Sequence, residues 1–188
     1  DGVIYYGLEL PAASLERIIS ENWPVIGIGV SPRLGIPVVN ANNFTAGHTI
    51  TENLIRHGFR EFHFFLVNRS GFPGEERERG MRTAMAEAGL QFPEDRVYRT
   101  TYGGTHAAEI TQKLLDTGKL RPGSALVCVS DYLAVCASKM LLRNGFRIPD
   151  DFAVAGINGS ATAADFTPPI TSFEYLPADQ GRTSVRLL

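Results

Sequence analysis

Concentrated positive charge is missing from this sequence. Lysine and arginine number 18 against 20 aspartates and glutamates, a net charge of −2, and the pI is about 6.1. A domain that grips nucleic acid by its phosphates carries a basic patch or stripe, so phosphate-backbone binding by this chain is excluded as its main business. Cysteine is equally scarce. Cys128 and Cys136 are the only two, too few for a disulfide framework and without the second cluster a zinc site requires. They read as small buried residues in a reducing compartment, which points to the cytoplasm. The four histidines, His48, His57, His63 and His106, fall in no metal-ligand spacing such as HExxH. There is no G-x-S-x-G elbow and no Walker loop, and "GIGVSPRLG" (27–35) lacks the G-x-G-x-x-G form of a dinucleotide site. The residues therefore support neither an enzyme nor a cofactor. No apolar run approaches the ~20 residues of a membrane-spanning helix, and nothing resembles a cationic–apolar secretion signal.

What the chain does have is a globular composition: 188 residues, 44% hydrophobic and 20% charged, enough to bury a substantial core. Strand-like runs occur at 2–7, 25–30, 37–40, 62–67, 96–100, 125–129, 152–157 and 171–176. Most are continuously apolar rather than alternating, as strands covered on both faces of a parallel sheet must be. Helical patterns near 12–22, 44–57, 75–88, 105–117, 132–144 and 178–188 separate them. This alternation predicts βαβ units and a doubly wound α/β architecture. The opening "DGVIYYG" already reads as strand interior, and the closing "GRTSVRLL" as a helix cut short, so the chain is expected to lack its native N-terminus.

Helix endings follow one local device. "LIRHGFREFHFF", "MAEAGLQFPEDRVY" and "LLRNGFRIPDDFAVAGI" each stop a helix at a glycine, add a hydrophobic residue and start a strand. Gly58, Gly89 and Gly145 suit the left-handed position just past a helix, with Phe59, Leu90 and Phe146 supplying the accompanying apolar contact. Asp150 and Asp151 lie in the connection before a strand, the wrong edge of the sheet for acid–base chemistry. Ser130 or Asp131 can cap one helix and Asn42 or Asn43 another. Gly47 is expected to let its helix approach the sheet closely.

Open α/β sheets bind ligands beyond the carboxyl ends of their strands. That rule selects Asn68 and Arg69, Tyr102, Ser130 and Asp131, Asn158 and Tyr175, polar and aromatic side chains gathered on one edge of the fold. A binding cleft follows as the default expectation. Each has a plainer explanation beside it: capping for Ser130 and Asp131, a turn for Tyr102 and for Asn158 before Gly159, core packing for Tyr175. The run "EERER" (75–79) reads as a solvated helix start, with Glu75 and Glu76 at the positive end of the helix dipole.

Several stretches, in order, resemble the effector-binding core of LacI/GalR-type bacterial transcription regulators, a fold shared with periplasmic sugar-binding proteins. They are "DGVI" (1–4), "PVIGIGV" (24–30), "NNFTAGHTITENLIRHGFREFHFF" (42–65), "RERGMRTAMAEAGL" (77–90), "SDYLAV" (130–135), "LLRNGFRIPDDFAVAGIN" (141–158) and "PPITSFEY" (168–175). The resemblance implies a type I periplasmic-binding-protein-like fold of two parallel-sheet lobes with a small effector, a sugar or sugar derivative, between them. It assigns 1–58 and 175–188 to a partial N-terminal lobe and 59–174 to the C-terminal lobe. It further implies a homodimer, and DNA contact only through a helix-turn-helix outside this chain. The family's R-x-x-G arginine falls on Arg77, its "ND" pair on Ser130 and Asp131, its strand-end aromatic on Tyr102, and its "LTT" stretch on "ITSFEY" with Tyr175 near the cleft. An acidic residue that usually accepts from the effector is Asn158 here, and the D-N start of the crossover helix is Asn42-Asn43. The alternative implied by the same fold is a periplasmic sugar-binding protein serving a transporter.

Overall fold

The computed structural model describes residues 2–7, 11–68, 71–101 and 104–188. Two parallel sheets organise them. The smaller contains β1 (Val3–Tyr6), β2 (Val25–Ile28) and β3 (Val38–Val39), in that order. The larger contains β4 (Phe62–Val67), β5 (Val97–Thr100), β6 (Ala125–Cys128), β7 (Ala153–Asn158) and β8 (Thr171–Glu174), in the order β5-β4-β6-β7-β8. Every neighbouring pair is parallel. All eight strands lie inside or within one residue of the expected runs.

The apolar runs set the layering. Every residue of β4 and β6 is buried, whereas β5 and β8, at the two edges, are only partly covered. Phe62, Phe64, Phe65 and Phe152 are among the largest fully enclosed side chains, each stabilising the fold by roughly 1.5–3 kcal/mol of apolar burial. Helices cover both faces: α1 (Ala12–Ser20), α2 (Asn43–Arg56), α3 (Gly71–Glu87), α4 (Gly104–Asp116), α5 (Asp131–Arg143), the one-turn α6 (Ala161–Ala164) and α7 (Pro177–Leu187). The short α6, capped by Ser160, falls where no helix is expected from the sequence.

The glycine device repeats at three helix ends. Phe59 N–H donates to Leu54 O, Leu90 N–H to Met85 O, and Phe146 N–H to Leu141 O, while Gly58, Gly89 and Gly145 hold positive φ. Asp151 receives the Arg147 amide at 2.7 Å and its guanidinium at 2.9 Å. Hydrogen bonding to Arg147 holds the Asp151 carboxyl below its ordinary range.

Two expectations are corrected. Helix α3 begins at Gly71, not at 75. Pro73 sits in its first turn, where a missing amide leaves nothing unpaired. Glu75 and Glu76 consequently lie past the first turn, and Glu76 pairs with Arg79 at 2.5 Å. Second, Gly47 approaches helix α3 and not the sheet. A Cβ on Gly47 would stand 2.0 Å from the Arg77 carbonyl oxygen, and one on Gly80 would stand 2.1 Å from that of Phe44. Two glycines thus let α2 and α3 cross backbone against backbone. Helix α2 also packs on β6, β7 and β8, and its Ala46, Ile50 and Leu54 join the large core. The C-terminal α7 crosses back to β2 and β3.

Candidate functional site

The carboxyl ends of the two sheets face each other across a cleft of about 370 Å³. Tyr6 and Gly29 contribute from the small lobe, Arg77, Ser130, Asn158 and Tyr175 from the large one. The register explains the convergence. In parallel strands all carboxyl ends lie on one edge, and β6 and β7, paired side by side, bring Ser130 and Asn158 out on that edge.

Arg77 is the best-defined group in the cleft. It is buried, at 9% exposure, and its guanidinium is held at two points. Nε donates to Asn43 Oδ1 at 2.9 Å, and Nη1 donates to the Val129 carbonyl at 2.6 Å. Its Cζ lies 5.5 Å from the centroid of the Tyr175 ring, within cation–π range. The Gly47–Gly80 crossing makes this possible, because it brings the first turn of α2 alongside α3. Asn43 is fixed in turn by its Nδ2 donating to Ala41 O at 3.1 Å. Capping of α2 falls to Asn42, which accepts from Thr45 N–H at 3.0 Å. The two adjacent asparagines therefore divide the work: Asn42 caps the start of the helix and Asn43 holds the arginine. Sequence reasoning did not select Asn43. Its only signal there was the doubled asparagine at a helix start.

Ser130 caps α5 through its Oγ, 3.5 Å from Leu133 N, and also lines the cleft. Asp131 is not the cap and is not among the described lining residues. It is 1% exposed, and its carboxylate accepts from Ser160 N–H at 2.7 Å and from the Ser172 hydroxyl at 2.5 Å. The absence of a side chain at Gly156 makes room for it, since a Cβ there would lie 2.5 Å from Asp131 Oδ1. Asp131 thus ties α5 to α6 and β8, which shapes the rim near Asn158 from behind. Asn68 is exposed, lies outside the lining and donates its amide to Thr100 O. Tyr102 and Arg69 lie outside the described residues.

Asn158 ends β7 with φ 143°, a positive value rarely adopted by residues other than glycine. Its Oδ1 is shielded from solvent and has no hydrogen-bond partner among the described residues. Such a conformation costs about 1–3 kcal/mol and concentrates at ligand-binding positions. Tyr175 faces the cleft and also packs on the large core, so core packing and cleft lining hold together. Tyr132, Pro73 and Gln180 also line the cleft. None was selected from the sequence, because each lies inside or beyond the first turn of a helix and not at a strand end.

Elsewhere, burial pushes the Cys128 thiol far up and Cys136 up as well. Among the described residues no group of three or more His, Cys, Asp or Glu side chains is placed to hold a metal ion. No described helix is long and apolar enough to cross a membrane.

Residues 51–188 match the family described as periplasmic binding protein-like domain. Among curated relatives, the helix-turn-helix transcriptional regulator RegA of Clostridium saccharobutylicum is 28% identical over 190 residues, covering all of this chain and 57% of RegA. The regulator CelR of Thermobifida fusca is 29% identical over 160 residues, covering 82% of this chain and 46% of CelR. Among solved structures, a transcriptional regulator CelR–cellobiose complex superposes with a TM-score of 0.88 at 27% identity, covering 100% of this chain and 58% of that one. A LacI-family regulatory protein from Chloroflexus aggregans superposes at 0.90 with 22% identity, a likeness of fold. The chain spans about half the length of the curated relatives it matches.

Proposed function

This chain belongs to the periplasmic binding protein-like domain family, and on that premise we propose that it is the effector-sensing domain of a LacI-type transcription regulator. The observation that carries the reading is Arg77: a buried guanidinium fixed by Asn43 and by the Val129 carbonyl, with donors left over at the mouth of a two-lobed cleft. Among the described residues two of its five N–H groups meet protein acceptors, and the planar fork of the guanidinium suits the paired oxygens of a ligand.

In this reading Arg77, Ser130 and Asn158 contact the effector from the large lobe, and Tyr175 and Tyr6 provide ring faces. Asp131 acts behind the rim, and Asn68 takes no part. A small molecule touching both lobes favours the lobe arrangement in which all contacts are made, and that shift in population is the signal. The whole protein would work as a cytoplasmic homodimer and reach DNA through a segment outside this chain, which agrees with the lack of a basic stripe here. The relatives named above are transcription regulators, which does not favour the alternative of a periplasmic sugar-binding protein serving a transporter.

A thermal-shift screen of the chain against sugars, sugar acids, sugar phosphates and nucleobases tests the reading. A ligand that raises the melting temperature of the wild type, and whose affinity falls more than tenfold in Arg77→Ala, supports it. Affinity within twofold of wild type in that variant sinks the cleft assignment.

A further inference from the structure

We infer that the effector is a sugar acid: a polyhydroxylated ligand whose carboxylate sits on Arg77. This rests on the effector-cleft reading above and adds the ligand's charge. The first observation is an imbalance. Arg77 is buried, yet both of its hydrogen-bond partners are neutral, an amide oxygen and a backbone carbonyl. No described carboxylate pairs with it, whereas arginines that are far more open to solvent do have carboxylate partners. Arg82, for instance, meets both Glu78 and Glu94, and Arg99 meets Glu78 at 2.9 Å. Buried charges are normally matched by an opposite charge, and among the described residues Arg77 is matched by none.

The rest of the cleft agrees in sign. Among its described lining residues Arg77 is the one charged side chain. Helices α2, α3 and α5 all begin at the cleft, contributing Asn43, Gly74 and Ser130 to its wall. Their positive dipole ends therefore point inward. The acidic end of α5 is already committed, since both Asp131 oxygens are taken by Ser160 and Ser172. A single guanidinium with a planar fork suits a planar monoanion, and one carboxylate would neutralise it.

The second observation gives the ligand's other end. Asn158 Oδ1 is an acceptor without a donor among the described residues, a deficit that an O–H or N–H from the ligand would fill. Half of the requirement is thus an anion and half a hydroxyl-type donor, within a cleft of about 370 Å³. Uronates and aldonates carry both. Had the residue at 158 been aspartate, its charge would have offset that of Arg77 and favoured a neutral sugar; asparagine keeps the acceptor and drops the charge.

The test is calorimetric titration of the 188-residue chain at constant ionic strength, using D-gluconate, D-glucuronate and D-galacturonate beside D-glucose, D-galactose and D-glucose 6-phosphate. The expected result is at least one acid binding tenfold or more tighter than its uncharged parent. That preference should vanish in Arg77→Gln. Independently, it should shrink at least tenfold in Asn158→Asp, which adds the missing negative charge while leaving Arg77 in place. A parent sugar binding as tightly as its acid overturns the anion assignment and leaves the effector cleft standing. Tighter binding of the phosphate than of every acid overturns the carboxylate. Silence from all six probes overturns the sugar-acid inference, and silence across the wider thermal-shift screen overturns the effector reading itself.

Discussion

Replacing Gly47 by alanine puts the architecture of the site to a demanding test. The new Cβ would lie 2.0 Å from the Arg77 carbonyl oxygen and 2.7 Å from its carbonyl carbon. Comfortable carbon contacts begin at roughly 3.5 Å, so α2 and α3 must separate by about 1.5 Å, estimated against that contact distance. Both clashing groups belong to helices, so no side chain can swing away. Overpacking of this kind costs about 1–3 kcal/mol or more, and the upper end applies where backbone meets backbone. Alanine's better helix propensity returns about 1 kcal/mol, for a net loss of about 2 kcal/mol. For a domain of this size that lowers Tm by roughly 4–8 °C. Gly181, inside α7, is the internal control, because a Cβ there meets nothing within 4 Å. Gly181→Ala should raise stability by about 0.5–1 kcal/mol. Urea and thermal unfolding of the two variants beside wild type give the comparison. If Gly47→Ala melts within a degree of wild type, or Gly181→Ala loses as much, the close crossing is not what holds α2 against α3. The clash falls on the residue that carries the guanidinium, so effector affinity should drop with stability in Gly47→Ala and stay unchanged in Gly181→Ala.

Asp131→Ala should cost about 2–3 kcal/mol in urea unfolding, because the Ser172 hydroxyl and the Ser160 amide lose a buried charged acceptor; a loss below 0.5 kcal/mol would count against the tie. His63, enclosed in β4 and stacked on Tyr98, has its pKa lowered to about 4, chiefly by burial and then by Arg96. The unfolded chain therefore takes up this proton first. The stabilisation is complete above about pH 6.5, the ordinary histidine value. It then declines toward pH 4 by about 3 kcal/mol, and His63→Gln should flatten that part of the stability–pH curve. Under native conditions a thiol reagent should modify Cys136, which is partly exposed, well before the enclosed Cys128; equal rates would show that β6 opens readily. The chain alone should give no sequence-specific gel shift with DNA even at low salt, given its net charge of −2.

Sequence alone determined the strands. A run such as "FHFFLV" can satisfy its side chains only where both faces of a sheet are covered, so its depth and parallel setting were legible from composition and order. Glycine followed by a hydrophobic residue marked three helix ends for the same reason: the signal is local and the backbone obeys it locally. The strand-end rule also brought out Ser130, Asn158 and Tyr175, which do converge on the cleft. Tertiary structure decided which of two adjacent residues does what. Ser130 and Asp131 are equally good caps on paper, and only the space above Gly156 sends Asp131 inward to Ser160 and Ser172. Asn42 and Asn43 are the same residue twice, and only the Gly47–Gly80 crossing, between segments far apart in sequence, turns one of them toward Arg77. Local chemistry fixes periodicity and punctuation, whereas a hydrogen-bond partner across 34 residues depends on how two helices meet.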